Sequence, residues 1–214
     1  MMTKLFLGVY NKLRKLNTRT MVHVLVVISL FGAGISGLVS TDSQWMSWHF
    51  SRLGEGSTLS ATIFNTTLLI SAILTFITAL TLKESLPSPT KSSRRDVRTV
   101  KNRAFMALSA ITVCLIGLSF FPFDRFPVVH NIFGYLMALI FVTLFLTVPR
   151  TFNSVSRQFY RYSYFIALAI VLIYLFVFQA LHAITLLEVE IISYLLMYGW
   201  LLMLTKEIEI RSSK

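Results

Sequence analysis

Residues Pro127–Val148 read PVVHNIFGYLMALIFVTLFLTV and contain no Asp, Glu, Lys or Arg. A helix needs about 20 predominantly apolar residues to cross a hydrocarbon core about 30 Å thick. Because backbone groups in lipid must be paired within their own segment, this block is predicted to form a transmembrane α-helix. Transmembrane β-strands would instead alternate in polarity over about ten residues, and this block does not alternate.

Further blocks of the same kind occur along the 214-residue chain. Apolar residues make up 55% of the sequence and charged residues 14%, with a mean hydropathy of +0.71, whereas soluble domains carry about 25% charged residues. The sequence therefore predicts an all-α, polytopic membrane protein whose residues 1–214 form one domain. The predicted spans are Met21–Ser40, Leu59–Leu82, Ala104–Phe121, Pro127–Val148, Tyr162–Thr185 and Val189–Thr205.

Basic residues are concentrated on one predicted side of the bundle. Four segments on that side hold 18 of the 20 Lys and Arg residues: 1–20, 83–103, 149–161 and 206–214. Short loops rich in Lys and Arg stay in the cytoplasm, so both termini are predicted to be cytoplasmic, in a bacterial cytoplasmic membrane. The net charge of +11 then indicates topology and attraction to anionic membrane lipids, not a nucleic-acid partner.

Two basic segments are candidates for peripheral contacts. Residues 1–20 have a rough amphipathic period, which fits either a helix on the inner leaflet or a solvated tail. Residues 83–103 form a predicted cytoplasmic linker, where a protein partner is most readily accommodated. Ala33 and Gly37 form a small-xxx-small pair, which favours packing inside the bundle over homodimerisation and leaves the oligomeric state open.

Polar residues gather at the predicted outer ends of the helices. Ionisable groups near the membrane are costly and tend to face the bundle interior, which makes them candidates for a functional site. Arg52 and Arg125 are expected either to bind a lipid phosphate or to pair with neighbouring acids, and pairing is the commoner outcome. The candidate ligand-binding residues are Ser51, Arg52, Asn65, Asp124, Arg125, His130 and His182.

Three histidines on that side raise the alternative of a metal site. His49, His130 and His182 could hold zinc if their nitrogens converge about 2.0–2.1 Å from one ion. Asp124 could then orient a ligand imidazole, and Asp124 and His130 are the candidate catalytic residues. No H-E-x-x-H motif supports this alternative, so zinc is only a candidate cofactor.

The segment Ser51-Arg52-Leu53-Gly54 is predicted to form a turn. Gly54 is expected to supply a permissive backbone angle there. A nucleophile–base pair of Ser51 with His49 is disfavoured, because residues two apart rarely face one another on a helix. The chain also lacks the G-x-S-x-G elbow of many serine hydrolases.

Two short patches resemble a large family of six-helix bacterial membrane proteins of unknown function. The first patch is Ser51-x-Leu53-Gly54 followed by Phe64-Asn65, and the second is Phe121-Pro122-x-Asp124 followed by His130. The architecture is also loosely similar to Frag1/DRAM/Sfk1-type membrane proteins. The resemblance implies a shared outward site made of Ser51, Asn65, Asp124 and His130, and it implies no particular activity.

Three functions are therefore open. The first is a non-catalytic membrane protein whose outward pocket binds a lipid headgroup, a small ligand or a partner protein. The second is a zinc-dependent intramembrane hydrolase or acyltransferase acting on a lipid or lipoprotein, by analogy with ceramidase-like hydrolases. The third, a small transporter or transporter subunit, is disfavoured because the spans lack mid-helix charges and paired broken helices.

Overall fold

The computed structural model describes residues 16–85, 94–151 and 156–212, and within these ranges it contains six long helices and no strand. Each helix has the length and hydropathy of a membrane span, the fifth together with its continuation to Ala180. This confirms the all-α, multi-pass membrane fold. The helices are α1 (Thr18–Leu38), α2 (Leu59–Ser85), α3 (Arg94–Phe120), α4 (Pro127–Thr151), α5 (Arg157–Leu172) and α6 (Leu186–Ser212).

Polar side chains cap the first turn of three helices, and these caps define where the helices begin more accurately than the hydropathy pattern does. Asn17 accepts hydrogen bonds from two backbone amides of the first turn of α1, and Ser156 does the same for Phe159 in α5. Before α6, Thr185 and Glu188 satisfy each other's backbone amides in a capping box. This capping box explains why α6 begins at Leu186.

The helices follow one another around a ring. Each helix packs against the next one in the chain, and α6 returns to contact α1 and α2. Gly32 of α1 lies so close to Thr67 of α2 that a Cβ at position 32 would overlap that side chain, and Gly37 lies against the Trp45 ring. Gly32 and Gly37 therefore serve packing within the chain, as the small-residue pattern predicts for Gly37.

A cluster of fully buried aromatic residues in the core surrounds Trp200 of α6. The Trp200 ring lies 5.0 Å from that of Phe145 in α4 and 5.7 Å from that of Phe159 in α5, measured between centroids. The indole N–H donates a 2.8 Å hydrogen bond to Ser163 Oγ. This cluster joins three helices at the half of the bundle opposite the candidate site.

The connections after α1, α3 and α5 lie at one end of the bundle, the rim, which comprises residues 39–58, 121–126 and 181–185. The first connection contains two 3-10 turns, Trp45–Ser47 and Phe50–Gly54. The sequence also predicts that the third connection is a short turn near Leu186–Glu190, and this prediction is wrong because those residues already belong to α6. After Leu172 the fifth span continues as a π-helix, Ile173–Ala180, and ends before the connection.

Several sequence predictions lie wholly or partly outside the described residues. These are the amphipathic segment within residues 1–20, of which 1–15 are not described, and the linker 83–103, of which 86–93 are not described. The orientation with both termini in the cytoplasm also stays a prediction, and the rim is the end that this prediction assigns to the outer face.

Candidate functional site

Ser51 and His130 stand 79 residues apart in the chain and meet at the rim. The Oγ atom of Ser51 lies 2.7 Å from Nε2 of His130, while Nδ1 of the same ring lies 2.8 Å from the Phe121 carbonyl oxygen. A carbonyl oxygen can only accept, so Nδ1 donates to it. In the neutral imidazole Nε2 is then the acceptor, and the Ser51 hydroxyl donates to it.

Three local features place the Ser51 hydroxyl. Ser51 belongs to the 3-10 turn Phe50–Gly54, and the Leu53 side chain of that turn is almost fully buried. The Asn65 side-chain amide donates a 3.1 Å hydrogen bond to the Gly54 carbonyl. Asn65 therefore anchors the turn to α2, while Ser51 itself stays half-buried at the rim.

The glycines of this turn have a different role from the predicted one. Gly54 does not adopt a positive φ; the left-handed angle belongs to Gly56, at φ 71°. A Cβ at Gly54 would instead lie 2.8 Å from Asn65 Oδ1. Gly54 is thus needed for close approach of the turn to α2.

His49 lies beside the pair, across the ring of Phe123. The centroid of the Phe123 ring is 4.8 Å from that of His49 and 5.9 Å from that of His130, edge-on in both cases. Burial lowers the pKa of His49, and the nearby His130 and Arg52 lower it further. The rim therefore holds two adjacent histidines around one phenylalanine, and the His49 imidazole favours its neutral form.

Arg52 is engaged by other side chains of the first connection. Its Nε donates a 2.7 Å hydrogen bond to Asp42, its Nη1 lies 3.5 Å from Glu55, and its guanidinium stacks over Trp48 at 5.1 Å. The hydrogen bond from Arg52 lowers the pKa of the Asp42 carboxyl. The expected pairing of Arg52 with neighbouring acids is confirmed, and phosphate binding at this residue stays a prediction.

Asp124 joins two connections of the rim. Its Oδ2 accepts a 3.2 Å hydrogen bond from the Gly56 amide, and the Arg125 guanidinium lies 4.0 Å away in a long contact. The expected role of Asp124 in orienting an imidazole falls instead to the Phe121 carbonyl, which binds His130. The Arg125 side chain is 62% exposed and is the more accessible of the two rim arginines.

His182 is set apart from the other two histidines of the proposed zinc site. It lies in the connection beyond the fifth span, exposed and with a positive φ of 49°. In the part of the chain that the structure describes, no three His, Cys, Asp or Glu residues form a group that could hold a metal ion. The structure thus brings His49 close to His130, but His182 does not join them in a group that could hold a metal ion.

Sequence reasoning missed Glu190 and the aromatic residues around it. The Glu190 carboxylate accepts a 2.6 Å hydrogen bond from the Phe50 amide, which ties α6 to the turn that carries Ser51. The Phe50 ring packs on those of Phe64 and Tyr194 at 6.2 and 5.9 Å. An acidic residue inside an apolar span is a costly feature, and that signal would have pointed to Glu190.

A cavity of about 960 Å³, including its open mouth, lies below these aromatic rings between α1, α2, α3, α4 and α6. Its wall is mostly aliphatic and aromatic, and it includes Phe50, Phe64 and Tyr194 at the end nearest the rim. The polar groups in the wall include Ser29 and Ser71, which hydrogen-bond each other at 2.8 Å. The sequence showed no sign of this cavity, because its walls come from five different helices.

Comparison of the chain with protein-family models, with curated proteins and with solved structures finds no match. The class that the fold defines is that of a six-helix, multi-pass membrane protein. The resemblance to the six-helix bacterial family stays a prediction based on its two short patches, and the function is argued from the geometry alone.

Proposed function

We propose that this protein binds a membrane lipid, with an acyl chain in the intramembrane cavity and the polar head at the rim. The cavity is the observation that carries the proposal. Ligand sites are typically concave and lined mostly by apolar side chains, with a small number of polar groups. The wall of this cavity has that composition: it is mostly apolar and includes a few polar groups.

The length of the cavity suits an acyl chain. Along α2 its wall runs from Phe64 to Thr78, which at about 1.5 Å of rise per residue corresponds to about 21 Å. One leaflet contributes about half of a hydrocarbon core that is about 30 Å thick. The cavity is therefore deep enough to hold a chain that would otherwise occupy a single leaflet.

The exposed part of the wall indicates where a chain would enter. Leu30 of α1 and Ile191 and Leu195 of α6 line the cavity and are exposed, by 44%, 37% and 52% of their surface. They come from α1 and α6, and these two helices contact each other. In a membrane these surfaces face acyl chains, so this contact is the expected lateral entrance.

The rim fits a lipid head. Phe50 lines the cavity at the end nearest the rim, and the next residue in the chain, Ser51, pairs with His130 at 2.7 Å. Arg125, exposed at the same end, adds a cation that suits a lipid phosphate. The distribution of basic residues supports placing this rim at the outer face of a bacterial cytoplasmic membrane.

The other two expected functions have no specific observation in their favour. A zinc-dependent hydrolase needs three ligands around one ion, and the described side chains offer no such group. A transporter needs a polar route across the bundle, whereas the wall of the cavity is mostly apolar.

The proposal is tested by filling the cavity with a larger side chain and measuring lipid binding. Ala33 lines it, and Ala33→Phe places a ring in the space proposed for the chain. A phosphatidylglycerol with a photoreactive diazirine in its acyl chain is reconstituted with the protein in nanodiscs, irradiated, and mapped by peptide mass spectrometry. Labelling is expected at Tyr194 or Leu195 in the wild type.

The matched control is Ile35→Phe, which adds the same ring on an exposed part of α1 that does not line the cavity. Ala33→Phe should lower labelling by about tenfold, or about 1.4 kcal/mol of binding free energy, and the control should not lower it. Equal labelling of both variants, or labelling confined to outward-facing residues such as Phe165, would contradict the proposal.

A further inference from the structure

We infer that Ser51 is a nucleophile and His130 its general base, in an acyl-transfer reaction at the ester of the lipid held in the cavity. This inference rests on the proposed lipid binding and adds a chemical step to it. The ester of a glycerolipid stands at the junction between acyl chain and polar head. Ser51 stands at the corresponding level of the protein, directly after Phe50 in the chain, and Phe50 lines the cavity at the end nearest the rim.

The hydrogen-bond pattern of His130 is that of a base oriented toward its nucleophile. Its Nδ1–H donates to the Phe121 carbonyl at 2.8 Å, which leaves the Nε2 lone pair to accept the Ser51 hydroxyl at 2.7 Å. A nucleophile and base within hydrogen-bond reach, with the base held by a third group, are the diagnostic arrangement for covalent catalysis. Here a backbone carbonyl takes the place of the usual carboxylate.

The partner of Ser51 sets it apart from the other hydrogen-bonded serines in the described residues. Those serines contact carbonyl oxygens, other serines, amide or indole N–H groups, or a carboxylate, which are ordinary structural partners in helices. Only the Ser51 hydroxyl has an imidazole partner within these ranges. The others are Ser29, Ser36, Ser40, Ser60, Ser71, Ser119, Ser156 and Ser163.

His130 is more deeply buried than Ser51, as is suitable for a fixed base beside an accessible nucleophile. His130 is 6% exposed, so its ring is shielded and held in one orientation. Ser51 is only half-buried, so its hydroxyl can be approached from the rim.

The reaction proceeds in two balanced half-reactions. Ser51 Oγ attacks the ester carbonyl carbon while its proton passes to His130 Nε2. The tetrahedral intermediate expels the glycerol-side alkoxide, which takes the proton from Nε2 and leaves as an alcohol, and the acyl group stays on Ser51. Water, or a second alcohol, then gives its proton to Nε2 and attacks the acyl carbon, and Ser51 leaves with that proton restored.

The test measures the reactivity of Ser51 in the purified, full-length protein in nanodiscs. A small alkyl fluorophosphonate, which phosphonylates activated serines, is added and the modified peptide is identified by mass spectrometry. We expect modification at Ser51, its loss in Ser51→Ala, and its retention in Ser119→Ala, in which the deleted hydroxyl donates to a carbonyl. In His130→Gln the rate should fall by at least about 100-fold, the lower end of general-base contributions.

Two outcomes would overturn the inference. One is wild-type protein that is labelled by the diazirine lipid but whose Ser51 is not phosphonylated. The other is an unchanged rate of Ser51 modification in His130→Gln. The wild-type peptide map is decisive even if a variant fails to fold.

Failure of lipid binding is detected separately, because the diazirine lipid reports on the cavity and the fluorophosphonate reports on the hydroxyl. A wild-type protein with a reactive Ser51 and no diazirine label in the cavity would refute the proposed lipid function and the lipid ester as substrate together. Release of fatty acid from phosphatidylglycerol, absent in Ser51→Ala, would support the lipid ester as substrate.

Discussion

Ser163→Ala should destabilise the bundle by removing the hydrogen-bond acceptor of a fully buried tryptophan. Trp200 and Ser163 are both 0% exposed, and the indole N–H donates to Ser163 Oγ at 2.8 Å. In Ser163→Ala no water can replace the hydroxyl, so the indole N–H stays unpaired. A buried unpaired donor costs about 1–3 kcal/mol.

The membrane setting lowers the coupling that we expect between the two side chains. Interhelical hydrogen bonds in bilayers contribute about 0.6 kcal/mol on average and up to about 1.7 kcal/mol, because helices in the unfolded state also find partners. The Ser163 hydroxyl also donates to the Phe159 carbonyl at 2.9 Å, but that bond lies within α5. Its loss should therefore affect the coupling little.

The assay is a double-mutant cycle with Trp200→Phe, measured as free energies of unfolding in mixed micelles. Trp200→Phe alone should cost stability because it leaves space beside Phe145 and Phe159. In that background the N–H is already gone, so Ser163→Ala should cost less than in the wild type by about 0.6–1.7 kcal/mol. Strictly additive costs would refute the idea that this hydrogen bond holds α5 to α6.

Two further predictions concern α1 and the rim. Gly32→Ala should cost about 1–3 kcal/mol of stability, because the added methyl group overlaps Thr67. Gly34→Ala, whose methyl group meets nothing within 4 Å, should be neutral or stabilise the protein by about 0.5–1 kcal/mol. Thermal unfolding in detergent distinguishes the two signs, and equal effects of the two variants would contradict the packing of Gly32 against Thr67. Burial lowers the pKa of His49 in the folded protein, so as the pH falls the His49 imidazole is protonated in the unfolded chain before it is protonated in the folded one. The free energy of unfolding should therefore fall as the pH drops below about 6.5. His49→Gln should reduce this loss of stability at low pH, whereas the control His182→Gln, at an exposed position, should not change it. An unchanged pH profile of stability in His49→Gln would argue against a buried neutral imidazole.

The six spans could be read from the sequence because each depends on a local property. A block such as Pro127–Val148 is apolar enough to cross the membrane whatever surrounds it. The helix α4 begins at the predicted Pro127 and ends at Thr151, beyond the predicted Val148. The ends of the helices were less accurate where capping decides them. Thr185 and Glu188 start α6 before the predicted Val189, and the fifth span stops at Ala180 before the predicted Thr185.

The sequence named some members of the candidate site but did not predict how they pair. Ser51 and His130 were both candidates, yet the sequence suggested zinc for the histidine and offered only His49 as a base for the serine. The observed pair joins the α1–α2 connection to α4. Such a contact depends on how two connections meet above the bundle, and neither spacing nor hydropathy encodes that directly.

The amino-acid sequence by itself determined that the chain forms six transmembrane helices, since the cost of unpaired backbone groups in lipid acts on each segment alone. Only the tertiary structure decided that His182 stands apart, that Glu190 binds the Phe50 amide, and that five helices enclose a cavity below the rim. Those features depend on packing between distant segments. Side-chain volumes and hydrogen-bond directions set that packing, and they act only once the helices are in contact.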